Sequence, residues 1–236
     1  MKWSFIPSLV RVKSSARSSV RWTVVEQMGV GLFLLLSLIS CEQGPRVVPP
    51  VEPEKPVVDA NQIVIYECNE RLFAETEAFK AIEAYVPTLA DMGVNVLWLM
   101  PVHPIGSDAK AVGSPYCVKD YTAVNPAFGT LADLKSLVAT AHQNGMKVML
   151  DWIANHTSWD NRWVTAHPDW YTGPATADEK FWEDVTFLNY DVPAVCDTMK
   201  ACMLYWVDEV DIDGFRCDYA DGAPMDFWKE VITDIR

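Results

Sequence analysis

Between residues 62 and 236 a short apolar run followed by a segment of helical period recurs four times, and this alternation constrains the fold more than any other feature of the chain. The runs are 62–67, 94–100, 147–151 and 211–218. Between them, apolar residues return every three or four positions, as on one face of a helix. The first helical set is Phe79, Ile82, Tyr85, Val86 and Leu89, with Gly93 as its stop and Pro87 predicting a kink or break. The second begins at Thr130-Leu131-Ala132-Asp133, runs through Leu134, Leu137, Val138 and Ala141, and stops at Gly145. Val195, Met199, Met203 and Trp206 mark a third over 192–209, and 224–236 reads as a fourth.

Strands that alternate with helices predict parallel strands joined by right-handed crossovers. A doubly wound sheet and a TIM (β/α)8 barrel share that pattern. No GxGxxG follows the first strand, and the polar and aromatic residues gather after the C-terminal ends of strands two, three and four. In a barrel those loops converge on one mouth, which places His103, Tyr116, Asn155, His156, Arg216 and Asp218 at a single site. The α/β barrel is therefore the expected fold. Eight units need roughly 250 residues, and 59–236 supplies four, so the expectation is the N-terminal half of a catalytic barrel. A short irregular insertion, 156–191, follows strand three.

The strand Asp211-Ile212-Asp213-Gly214-Phe215-Arg216-Cys217-Asp218 carries the chemistry. Period two puts Arg216 and Asp218 on one face, where a cation stands beside a carboxylate that it can hold ionised and available as a nucleophile. Taken alone, an acid at that place more often caps the following helix, and the rest of the chain shifts that balance.

The first 41 residues differ in kind. Lys2, Arg11, Lys13, Arg17 and Arg21 precede the apolar run 29–39, which is about half a bilayer-spanning length and suits a signal peptide rather than an anchor helix. It ends in Leu38-Ile39-Ser40-Cys41, which resembles a lipoprotein signal with Cys41 as the lipidated residue. The reading implies an exported protein held at the membrane by that lipid. A Pro-rich tether, 42–58, follows. Loss of the leader removes five basic residues and one acid, leaving 14 basic against 31 acidic residues, a formal charge of −17 in place of −13. Such a surface disfavours nucleic acid and anionic lipid as partners and is indifferent to a neutral ligand. Five cysteines remain beyond Cys41, without the short, even spacing of a disulfide framework. Cys196 and Cys202 stand six apart in a predicted helix, about 9 Å of rise, too far to bridge. No CxxC or His-rich cluster suggests zinc.

Four ordered stretches resemble the α-amylase superfamily, glycoside hydrolase family thirteen: Leu97-Trp98-Leu99-Met100-Pro101, the loop 113–130, Asp151-Trp152-Ile153-Ala154-Asn155-His156, and Gly214-Phe215-Arg216-Cys217-Asp218. The resemblance implies a retaining glycosidase acting on α-1,4-linked glucans, with Asp218 as nucleophile and Arg216 orienting it. It implies that His156 bonds sugar hydroxyls and Tyr116 stacks on the sugar. Asp120 and His103 are expected at the substrate as supporting residues, and Asn155 at a calcium site present in some members. Asp151 and Asn155 alone fall short of the six to eight oxygens that calcium takes. Of Trp152, Trp159, Trp163, Trp170 and Trp182, any can line a glycan groove or simply fill a small core.

The chain departs from the family in two places. Asp221-Gly222 stands where many starch-cleaving members carry Lys-His. The glutamate that protonates the leaving oxygen follows strand five in the family and has no counterpart by residue 236, so this stretch by itself is expected to be inactive. A non-catalytic amylase-like barrel that binds sugar or protein, and an α-glucan transglycosylase or isomerase, are the alternatives.

Overall fold

The computed structural model describes residues 55–108, 113–172 and 182–236. The leader with Cys41 and most of the 42–58 tether lie outside these residues, as does the middle of the insertion.

Strand β1 (Ile65–Cys68) leads through a single turn, α1 (Glu70–Phe73), into α2 (Ala78–Asp91), then β2 (Val96–Leu99), α3 (Leu131–Gln143) and β3 (Lys147–Ile153). The insertion follows, with β4 (His156–Ser158), α4 (Arg162–Ala166) and β5 (Val185–Phe187). The chain then returns through α5 (Pro193–Val210), β6 (Gly214–Asp218) and α6 (Met225–Ile235). The sheet is parallel with order β1-β2-β3-β6, while β4 and β5 form a separate antiparallel pair. Each new parallel strand joins beside the preceding one. The order never reverses, as it would at the switch point of a doubly wound sheet.

Local chemistry accounts for the helices. Thr130 and Asp133 form a reciprocal capping box at the start of α3. In α2, Phe79, Ile82, Val86 and Leu89 are fully buried, and Pro87 falls on the exposed side. The expected break at Pro87 does not occur: α2 continues through it. Water can satisfy the carbonyl that Pro87 leaves without a donor on that side. The first strand also starts later than expected, because Ile63 and Val64 are half exposed and Asn95 caps them, accepting from the Val64 N–H at 2.8 Å.

Alternation decides the two faces of the sheet. Leu97, Leu99, Val148, Leu150 and Trp152 are fully buried beneath the helices. Their neighbours Trp98 and Met149 are only partly buried, and Glu67 is exposed on the opposite, inner face. The described cysteines are unbridged, Cys196 and Cys202 included.

Tyr121, from the loop after β2, ties this frame to the end of β3. Its ring stacks on Trp163 at 5.2 Å and touches Trp152 at 5.3 Å. Its hydroxyl lies 2.8 Å from the Ile153 carbonyl and 2.6 Å from the His156 carbonyl. The Tyr190 hydroxyl donates to the Ala154 carbonyl at 2.7 Å. Three carbonyls of the turn 153–156 thus meet phenols planted in the core, which fixes where Asn155 and His156 point. Burial pushes both phenols well above the usual range, so they stay donors.

Candidate active site

β3 and β6 pair with Asp151 opposite Arg216 and Ile153 opposite Asp218. Side chains alternate along strands, so Asp151, Arg216 and Asp218 leave the sheet on the inner face. Arg216 Nη1 donates to Asp151 Oδ1 at 3.0 Å, to Asp151 Oδ2 at 3.1 Å, and to Asp218 Oδ1 at 2.7 Å. The guanidinium carbon lies 5.0 Å over the Trp98 ring, and Trp98 Nε1 donates to Asp151 Oδ2 at 3.2 Å. Asp151 is fully buried; burial pushes its pKa up to about 6 against the pull of Arg216. Arg216 is therefore held from behind and offers the same nitrogen to Asp218. The Asp218 side chain keeps 24% of its surface, enough for a reacting atom to approach.

Asp218 opens onto a cavity of about 310 Å³ whose walls include Ser114, Tyr116, His156, Trp182 and Asp184. Arg71 Nη1 donates to the Gly113 carbonyl at 2.8 Å, joining the loop that carries Ser114 and Tyr116 to the end of β1. His156 is buried, with Nδ1 3.2 Å from Asn155 Nδ2 and Nε2 3.2 Å from the Tyr116 carbonyl. The amide can only donate and the carbonyl only accept, so the proton belongs on Nε2. Burial lowers the His156 pKa to about 4, making the ring neutral. Both ring nitrogens are engaged, so a sugar hydroxyl reaches either only by displacing a protein partner. The Tyr116 phenol is pushed to about 12 by burial and by the charge of Asp151, and remains protonated.

Tyr116, His156 and Asp218 share the cavity, and Arg216 stands directly behind Asp218. His103 and Asp120 do not join them. His103 is fully buried on the helix side of the sheet, its ring within 5.2–5.7 Å of Tyr121, Trp152 and Trp206. Trp152 points to the helices by alternation and draws His103 with it. Burial lowers the pKa of His103 to about 4, so it is a neutral core residue. Asp120 turns back on its own loop, where Oδ1 accepts from the Thr122 N–H at 2.9 Å and hydroxyl at 2.8 Å.

The calcium expectation for Asn155 does not fit its surroundings. Its Oδ1 is pressed against Gly222, where an added Cβ would stand 2.0 Å away, and its Nδ2 is spent on His156. Among the described residues no group of three or more His, Cys, Asp or Glu could hold a metal ion.

Sequence reasoning missed Asp151 as the anchor of Arg216, because the pairing depends on strand register. It also missed Asp184, whose Oδ2 accepts from the Cys117 thiol at 3.1 Å on the cavity wall. Of the five tryptophans weighed, Trp182 lines the cavity, while Trp152, Trp163 and Trp170 are core.

Residues 78–185 match the family model described as alpha amylase, catalytic domain. An α-1,4-glucan:maltose-1-phosphate maltosyltransferase of Burkholderia pseudomallei is 30% identical over 185 residues, covering 67% of this chain and 16% of that protein. The crystal structure of a maltogenic α-amylase from Thermotoga neapolitana superimposes with a TM-score of 0.69 at 35% identity, over 75% of this chain and 43% of that one. The α-amylase of Geobacillus thermoleovorans, solved with acarbose, gives 0.65 at 26%, over 74% and 44%. The chain thus spans less than half the length of each of these relatives.

Proposed function

We propose that this chain is part of an α-amylase-family enzyme, a reading supported by the match of residues 78–185 to the catalytic-domain model and by the likeness to the maltogenic α-amylase of Thermotoga neapolitana, and that it forms the nucleophile-bearing part of a retaining enzyme acting on α-1,4-linked glucans. The observation that carries the reading is the Asp151–Arg216–Asp218 relay, which aims a reachable carboxylate into a cavity walled by Tyr116 and Trp182. In the reaction, an Asp218 oxygen attacks the anomeric carbon and the glycosidic C–O bond breaks, leaving a glycosyl ester on Asp218. Arg216 steers the carboxylate. The Tyr116 ring offers a face to the sugar, and His156, neutral and locked by Asn155 and the Tyr116 carbonyl, shapes the wall beside it. The leaving oxygen needs a proton from a second carboxylate about 5 Å from the first. Asp151 is unsuited to that task, being fully buried and committed to Arg216 and Trp98.

A glycosyl fluoride removes the need for that proton, because fluoride leaves as the anion. Incubation of the chain with α-maltosyl fluoride should release fluoride and add one maltosyl mass to the peptide containing Asp218, and Asp218→Asn should abolish both. Labelling of a different carboxylate, or none, would sink the assignment. Passage of the maltosyl group to water or to an added maltooligosaccharide separates hydrolysis from transfer, the second reading, which the similarity to a maltosyltransferase favours. The proposal extends to export and a lipid anchor at Cys41. Labelled palmitate should enter the wild-type chain and not Cys41→Ser.

A further inference from the structure

The aromatic Trp182 and Tyr219 face each other beside the nucleophile from two different parts of the fold, the insertion and the turn after β6. Their ring centroids are 5.0 Å apart at 61°. Trp182 also lies against Phe187 at 6.1 Å and 23°, and meets the His156 ring edge to face at 5.6 Å. These contacts fix its plane while part of the indole remains on the cavity.

Tyr219 follows Asp218 directly. Its backbone is left-handed, φ 45° and ψ 52°, a conformation that costs a bulky residue roughly 1 kcal/mol and glycine almost nothing. The residue is nonetheless 42% exposed. A strained turn that carries a large, half-exposed ring next to a nucleophile is placed for contact with something outside the chain. Gly222, on the same turn, can carry no side chain, since Asn155 Oδ1 already fills the space.

We infer that Trp182 and Tyr219 form an aromatic corner that stacks on a second pyranose, the neighbour of the sugar bonded to Asp218. The inference rests on the α-glucan reading above. A pyranose has an apolar face of C–H groups that suits an aromatic plane, and stacking needs no charge, in keeping with a neutral polymer.

Calorimetric titration of the full chain with maltoheptaose tests it. Trp182→Ala and Tyr219→Gly should each weaken binding about tenfold, while Tyr219→Phe stays within about twofold because the ring is kept. Tyr219→Gly should also leave Tm unchanged or raise it, which separates lost contact from lost structure. Wild-type binding that survives intact in both Trp182→Ala and Tyr219→Gly would overturn the corner while leaving the α-glucan reading in place. A wild-type chain that binds no maltoheptaose would overturn both.

Discussion

Asp151 and Arg216 stand opposite each other on adjacent parallel strands, and the guanidinium of one is bound by both carboxylate oxygens of the other at 3.0 and 3.1 Å. This pair sets the direction of Asp218 while Asp151 itself stays buried behind the cavity. Removing the charge from Asp151 leaves a partly buried guanidinium with only Asp218 to answer it, so Asp151→Asn should lower the free energy of unfolding by about 3 kcal/mol. Urea titration followed by tryptophan fluorescence measures this, and a change under about 0.5 kcal/mol, the range of an ordinary surface substitution, would contradict the role of the pair.

Glu70 is buried with Oε1 lacking a partner, and burial, helped by the charge of Asp151, raises its pKa to about 8. An acid whose pKa is higher in the folded chain favours folding while protonated. Its contribution is complete below about 4.5, the ordinary carboxylate value, and is lost as pH rises through about 8. Glu70→Gln should therefore gain more than about 1 kcal/mol over wild type at pH 8.5 and show a flatter dependence of Tm on pH between 5 and 9. Parallel Tm curves for the two proteins would refute the assignment.

At Gly222, a Cβ would stand 2.0 Å from Asn155 Oδ1 and 2.4 Å from its Cγ. Gly222→Ala must push Asn155 off His156 Nδ1, at a cost of about 1–3 kcal/mol for overpacking. Adding Asn155→Ala should restore part of that loss, so the two changes combine to less than their sum. Additive losses in thermal unfolding would show that the two residues do not compete for space.

The Tyr121 hydroxyl holds two carbonyls of the turn that delivers His156. Tyr121→Phe keeps the stacking on Trp163 and Trp152 and removes only the bond, so stability should fall by about 1–2 kcal/mol. Amide hydrogen exchange should rise across 153–158 and stay unchanged in α2. Uniform acceleration in both regions would assign the loss to the core as a whole.

The legible part of the site was the part carried by short-range pattern. Arg216 and Asp218 share a face because alternation along one strand requires it, and Thr130 with Asp133 announces the start of α3 three residues apart. His103 misled because a histidine in a loop after a strand reads the same whether the loop faces the mouth or folds back over Trp152. Asp120 misled for a similar reason, since the turn bonds to Thr122 that occupy it are local, whereas the cavity is not. Pro87 shows the limit of a local rule: it predicts a break, and the exposure of that side of α2 removes the need for one.

What the sequence determined by itself is the alternation of strands and helices, the parallel sheet that follows from it, and the delivery of Arg216 and Asp218 to a strand end, all consequences of periods of two and 3.6 residues. Tertiary structure alone decided that Asp151 meets Arg216, that Asn155 fills the space beside Gly222, and that Trp182 turns its ring to Tyr219. Each of these depends on register or on the closeness of segments distant along the chain. A one-residue slip of β6 against β3 would turn Asp218 to the helices and leave every local pattern in the sequence unchanged.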